Sequence, residues 1–315
     1  MEVLLNMVKV ENLVKRYGNF VALDHLELKI SEGEVFGLLG PNGSGKTTAI
    51  SCMLALLKYD KGNIEILGER IKPSSYNIKK QIGIVPQNVA VFEELSVIEN
   101  IDYFCGLYIK NKKERKKLIS DAIEFTGLGK YTKMRPKQLS GGLLRRLNIA
   151  CGIAHKPKLV IMDEPTVAVD PQSRNKILEG IQELNRNGST IIYTSHYMEE
   201  VEQICTKIAI IDAGRCIAKG TKEELKSMIK TGETITVESI FLSEKQLSEI
   251  HALQNVFEVH YENNILVARC SSAKHNLVRF MDYLQDNNIS FGKVFSELPT
   301  LNDVFLEITG KKLRD

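Results

Sequence analysis

The apolar segment Val35-Phe36-Gly37-Leu38-Leu39 runs directly into Gly40-Pro41-Asn42-Gly43-Ser44-Gly45-Lys46-Thr47, a junction that constrains the fold more than any other part of the chain. The octapeptide fits GxxxxGK[ST], a pattern that needs a buried strand before it and a helix after it. Glycines let the backbone curl so that its N–H groups and the helix N-terminus point at phosphate oxygens. Lys46, the motif's lysine, would neutralise the outer phosphates of a nucleotide, and the Thr47 hydroxyl would ligate Mg²⁺. A phosphate-binding loop on an α/β domain follows. The plainer alternative is a Gly-rich turn that happens to contain Lys-Thr.

Strand-like text surrounds the loop. Alternating segments at Val8 to Val14 and Phe20 to Ile30 precede it, and a helix is expected from Lys46 to about Leu57. Strands are expected at Lys158 to Met162, Thr190 to Thr194 and Lys207 to Ile211, with helical stretches between them, which implies a largely parallel sheet. Residues 88–157 read as helix, a helical subdomain inserted in that core. A helix from Thr221 to Lys230, with Glu224 closing a capping box, is followed by Thr231-Gly232-Glu233, read as a linker. Two domains are therefore expected, 1–230 and 231–315. The tail reads as strand 234–240, helix 244–253, a hairpin turning at Glu262-Asn263-Asn264, helix 274–285, strand 289–295 and helix 300–308. That order suits a small ferredoxin-like α+β module.

A second chemical element ends the strand before Asp163-Glu164-Pro165-Thr166. An acid at the carboxyl end of a buried parallel strand lies beside such a phosphate loop, which places Asp163 to hold Mg²⁺. Glu164, the next residue, would face the terminal phosphate and polarise an attacking water as a general base. A solvated acidic turn is the bland alternative. Between the two motifs, Leu139-Ser140-Gly141-Gly142 opens a helix, and by itself fits an ordinary helix cap as well as an anion site.

Taken together, residues 7–230 resemble the nucleotide-binding subunit of ATP-binding cassette (ABC) transporters. In that family Ser140, Gly141 and Gly142 look like the signature motif, Gln87 like the Q-loop glutamine, and His196 after Ser195 like the switch histidine. Tyr17 resembles the aromatic that stacks on adenine, and Asp170 falls in the D-loop. In isolation Tyr17 also fits a hairpin aromatic, Gln87 a loop polar group and His196 a structural histidine. The resemblance implies a P-loop NTPase ABC domain with cofactors ATP and Mg²⁺. Residues 40–48, through Thr48, would cradle ATP, and Thr47, Gln87 and Asp163 would hold the metal. Lys46, Gln87, Glu164 and His196 would serve hydrolysis. The implied assembly is a head-to-tail dimer of two cassettes, each ATP being capped by the partner's signature. Two positions depart from the family pattern: Leu143 where Gln is usual, and Ala168 where Gly is frequent.

The segment Leu298-Pro299-Thr300-Leu301-Asn302-Asp303-Val304-Phe305-Leu306 and the stretch from Arg146 to His155 resemble drug-resistance exporter ATPases of the daunorubicin and linearmycin type, which pair with ABC-2 type permeases. A soluble ABC ATPase acting on ribosomes or DNA, or an importer ATPase, is the alternative.

Composition bears on partners. No apolar run approaches the roughly 20 residues of a membrane span, so the pore is expected on a separate chain and this one in the cytoplasm, peripheral on the inner face of the membrane. The six cysteines form no CxxC pair, which argues against a disulfide framework or a zinc site. Formal net charge is only +3, and nucleic acid is not expected as a partner. The balance hides an asymmetry: residues 110–158 hold 14 basic and 3 acidic side chains. A solvated helix face or contact with headgroups or a permease would account for it.

Overall fold

A computed structural model describes residues 6–310. The chain divides into two compact units, the first ending at Thr221 and the second beginning at Lys222. The helix Lys222–Ser227 therefore belongs with the tail, not with the first domain as its place before Thr231 suggested. It buries Leu225 and contacts the helix Leu301–Thr309, which buries Leu301, Val304 and Phe305.

The first unit contains two sheets. A six-stranded sheet has the order Arg215–Gly220, Lys207–Asp212, Val35–Leu39, Thr190–Ser195, Leu159–Asp163, Ile82–Val85. All neighbours are parallel except the first pair, which is antiparallel. Val35–Leu39, Thr190–Ser195 and Leu159–Asp163 are buried along their whole length, because both faces are covered, and so they read in sequence as largely apolar runs. A four-stranded antiparallel sheet pairs Phe20–Ser31, Asn6–Tyr17, Lys61–Ile66 and Glu69–Arg70. The strands Lys61–Ile66 and Ile82–Val85 carry no sequence signal strong enough to have been expected. The second has only four residues, one of them glycine.

Register decides where the site lies. Leu39 sits opposite Ser195 and Asp163 opposite Thr194. The residues that follow these strands, Gly40, His196 and Glu164, therefore emerge side by side at the carboxyl edge of the sheet.

Between Val85 and Leu159 the chain forms the helices Val97–Gly106, Lys112–Phe125 and Gly141–Ile153 around a core that includes Val97, Ile101, Leu118, Ile119 and Leu147. Ser96 closes a capping box with Glu99, Asn111 caps the second helix and Ser140 the third. His155 joins these helices to the edge strand: its Nε2 lies 3.2 Å from the Ile82 carbonyl and its ring stacks on Tyr108 at 4.1 Å. Burial lowers its pKa from the ordinary 6.5 to about 4. The unfolded chain thus binds a proton that the folded chain refuses between these values. The contribution is complete above pH 6.5 and is lost as pH falls towards 4, by about 2 kcal/mol on going from pH 7.5 to 5. Urea midpoints of the His155→Gln protein should fall less over that interval than those of the unaltered chain. Identical slopes would assign the acid sensitivity to other groups.

In the second unit a four-stranded sheet has the order Val256–Glu262, Ile265–Ser271, Thr231–Val237, Val294–Glu297, every pair antiparallel. The helices Glu244–His251 and Asn276–Asp286 cover one face over Ile235, Val237, Leu266 and Ala268, the second helix adding Phe280 and Leu284 to the core. Asn263 and Asn264, both at positive φ, make the hairpin turn expected there. Two readings are corrected. Thr231-Gly232-Glu233 is not a linker but opens the central strand, Thr231 facing Ser271. The last strand begins at Val294 rather than Ile289, because the Ile289 N–H closes the preceding helix on the Leu284 carbonyl.

Candidate active site

The loop between Leu39 and the helix Lys46–Met53 is shaped by two glycines. A side chain at Gly40 would collide with the Ile211 carbonyl, and Gly45 sits at φ 107°, a conformation L-residues avoid. Within this cradle the Ser44 hydroxyl is buried and has no hydrogen-bond partner. An orphaned donor inside a ring of backbone N–H groups suits a phosphate oxygen. Lys46 is 5 % exposed and folds back into the loop, its Nζ donating to the carbonyls of Gly40 at 2.7 Å and Pro41 at 3.2 Å. Burial pulls its pKa below the usual lysine value, and the carboxylates of Glu164 and Asp163 pull it back.

Asp163 ends the neighbouring strand but one, Glu164 follows it, and both are buried. Thr47 Oγ1 donates to Asp163 Oδ2 at 3.0 Å, and Thr194 Oγ1 donates to Asp163 Oδ1 at 2.6 Å. A carboxylate beside a hydroxyl is a donor set for a small, oxygen-preferring cation. Thr194 also accepts from the Glu164 N–H at 2.9 Å. The Glu164 carboxylate meets three groups: Gln87 Nε2 donates to Oε2 at 3.1 Å, while His196 Nδ1 and Lys46 Nζ lie 3.3 and 3.5 Å from Oε1. Glu164 itself has φ 46°, a left-handed backbone forced by the turn out of the strand.

Six expected residues, Lys46, Thr47, Gln87, Asp163, Glu164 and His196, thus converge. Ser140, Gly141, Gly142 and Asp170 form a second cluster. Gly142 packs against Ser173 and Asp170, and Asp170 accepts from the Ser173 N–H at 2.9 Å as cap of the helix Pro171–Arg186. That bond holds the Asp170 carboxyl below its ordinary pKa. Ser140 and Gly141 are exposed. Leu143 turns towards the apolar core of the inserted helices while its N–H reaches the Ser140 hydroxyl at 3.4 Å, so the missing Gln leaves the cap in place. Ala168 has φ 58°, which explains why glycine is the easier residue there. Tyr17 ends its strand half exposed, with Lys15 Nζ 5.0 Å from its ring centre.

Several participants carry no motif. Phe20, 64 % exposed, lines a cavity with Pro41, Asn42, Gly43 and Ser44. Arg145 and Asn148 on the third inserted helix both donate to the Pro86 carbonyl, and Asn148 accepts from the Ala90 N–H, gripping the turn that carries Gln87. Thr194 carries no local signal either, being one hydroxyl among several in Thr190-Ile191-Ile192-Tyr193-Thr194-Ser195.

The ABC transporter family profile matches residues 23–167, a span that includes both the phosphate loop and the Asp163-Glu164 turn. The linearmycin resistance ATP-binding protein LnrL of Bacillus subtilis (strain 168) is 40% identical over 311 residues, 98% of this chain and 100% of that protein. The chain belongs to the ABC transporter family. As an ABC ATPase it binds ATP and hydrolyses it. The daunorubicin resistance ATP-binding protein DrrA3 of Streptomyces coeruleorubidus is 33% identical, over 98% of this chain and 97% of its own. Among solved structures, the dimeric post-hydrolysis state of the ATP-binding cassette MJ0796 bound to ADP and Pi has a TM-score of 0.63. It is 27% identical, over 68% of this ABC chain and 98% of its own.

Proposed function

We propose that this chain is the ATP-hydrolysing subunit of an exporter, and that Glu164 is its general base. The observation that carries the base assignment is the convergence of Gln87, His196 and Lys46 on the Glu164 carboxylate, within 3.1 to 3.5 Å. Lys46 would leave the loop carbonyls for the phosphates of ATP, beside the Ser44 hydroxyl and the backbone N–H groups of residues 40–48. Tyr17 would stack on the adenine, with Phe20 next to it. Thr47, Asp163 and Gln87 would hold Mg²⁺, which when bound offsets phosphate charge. Glu164 would take the proton of the attacking water, oriented by Gln87, while His196 would contact the terminal phosphate.

Exposure of Ser140 and Gly141 supports a dimer in which they and Asp170 complete the partner copy's site. The two copies would be identical chains, or this chain and a second cassette subunit. Among the described residues no helix is long and apolar enough to cross a membrane. We place the pore in a separate ABC-2 type permease, with this chain on the inner face of the membrane and its basic inserted helices towards permease and headgroups. The split strand order of the second unit supports a ferredoxin-like accessory module. An importer, or a soluble ATPase on ribosomes or DNA, is disfavoured because the resistance proteins match through the tail as well as the cassette. Affinity purification of the chain from membranes should bring down a multi-span membrane protein. Recovery of ribosomes or DNA instead would overturn the export assignment.

A further inference from the structure

Glu200 has no place in the hydrolytic scheme, yet its carboxylate is heavily engaged. It lies on the short helix Met198–Ile204, is 3 % exposed, and takes three hydroxyl donors on one oxygen. Thr166 Oγ1 reaches Oε2 at 2.8 Å, Tyr193 OH at 2.6 Å and Ser195 Oγ at 3.1 Å. Burying a charge of this kind costs several kcal/mol unless donors repay it, so an arrangement that gathers three of them is strongly specified.

The donors come from the two segments that carry Glu164 and His196. Thr166 follows Glu164 by two residues. Ser195 precedes His196 and accepts from the Tyr197 N–H at 2.9 Å, which pins the turn on both sides of the histidine. The other oxygen, Oε1, lies 3.3 Å from Arg174 Nε, the two facing each other without a hydrogen bond. Arg174 also stands 4.9 Å over the Tyr197 ring, and Tyr197 packs on His196 at 4.1 Å. Arg174 belongs to the helix Pro171–Arg186, whose first turn abuts Gly142.

We propose that Glu200 is a positioning residue for hydrolysis: it holds the Glu164 turn and the His196 turn at a set separation, and through Arg174 it ties that separation to the helix beside Gly142. This rests on the assignment of Glu164 and His196 to the reaction. The Glu200→Gln side chain has the same shape but presents no charge and one acceptor fewer. In the full-length chain its kcat for ATP should fall about 10- to 100-fold while KM stays within about twofold, the mark of lost alignment rather than lost binding. Arg174→Gln should lower kcat about 3- to 10-fold, again at constant KM. The double variant should be no slower than Glu200→Gln alone, because both substitutions break one device.

A Glu200→Gln kcat within about twofold of the unaltered chain, a parallel rise in KM, or additive losses in the double variant would overturn the proposal. Should Glu200→Gln not fold, Ser195→Ala and Arg174→Gln carry the test: lower kcat at constant KM supports it, and unchanged kcat in both overturns it. Glu164→Gln measured alongside separates the levels. If that variant is inactive while Glu200→Gln is normal, only the positioning role falls. If it turns over normally, the reading of the site falls.

Discussion

Glu164→Gln should bind ATP with unchanged affinity and hydrolyse it at least about 100-fold more slowly, the usual cost of losing a general base. The amide keeps the side chain's shape and its place beside Gln87 and His196, so the loop that holds the phosphates is undisturbed. It cannot take a proton from water. With ATP retained, the variant should also accumulate as a dimer in the presence of Mg²⁺, detectable by light scattering after size exclusion. Turnover like that of the unaltered chain would remove Glu164 from the base role, whatever the binding data showed.

Lys46→Ala should fail earlier, losing about 100-fold or more in ATP affinity, and hydrolysis with it. Two effects add. The charge-assisted contacts to phosphate disappear, and the buried Glu164 and Asp163 carboxylates are left without the cation between them. Equilibrium titration with a fluorescent ATP analogue reads the first effect directly. The pair of variants divides the site into a part that binds and a part that reacts. If Lys46→Ala bound ATP normally and lost only turnover, that division would be wrong.

Much of this architecture was legible in the chain. The phosphate loop announces itself because its requirements are local: an apolar strand, glycines where φ is positive or backbone approaches closely, and a helix start behind them. Asp163 and Glu164 were legible for the same reason, since a buried parallel strand is a continuous apolar run and its end is a carboxyl edge. The hairpin at Asn263-Asn264 follows from two residues that tolerate left-handed backbone. Where local text was weak or two-sided, it misled. Thr231-Gly232-Glu233 has the composition of a linker but pairs with Ser271 and Cys270 in a sheet, a pairing set by residues some 40 positions away. The helix Lys222–Ser227 looks continuous with the first domain, and only its contacts with the helix Leu301–Thr309 place it in the second unit.

The sequence by itself determined which backbone segments carry phosphate-binding and acidic groups, because those depend on conformations encoded within a few residues. Only the tertiary structure decided which groups meet. The registers Leu39 with Ser195 and Asp163 with Thr194 bring Gly40, Glu164 and His196 to one edge, though up to 156 positions separate them. Thr194, Asn148, Arg145 and Glu200 look like ordinary polar residues of a strand or helix until the sheet and the inserted helices fold over them. Their partners lie across elements, and contact across elements is fixed by packing and register, which no short window of sequence contains.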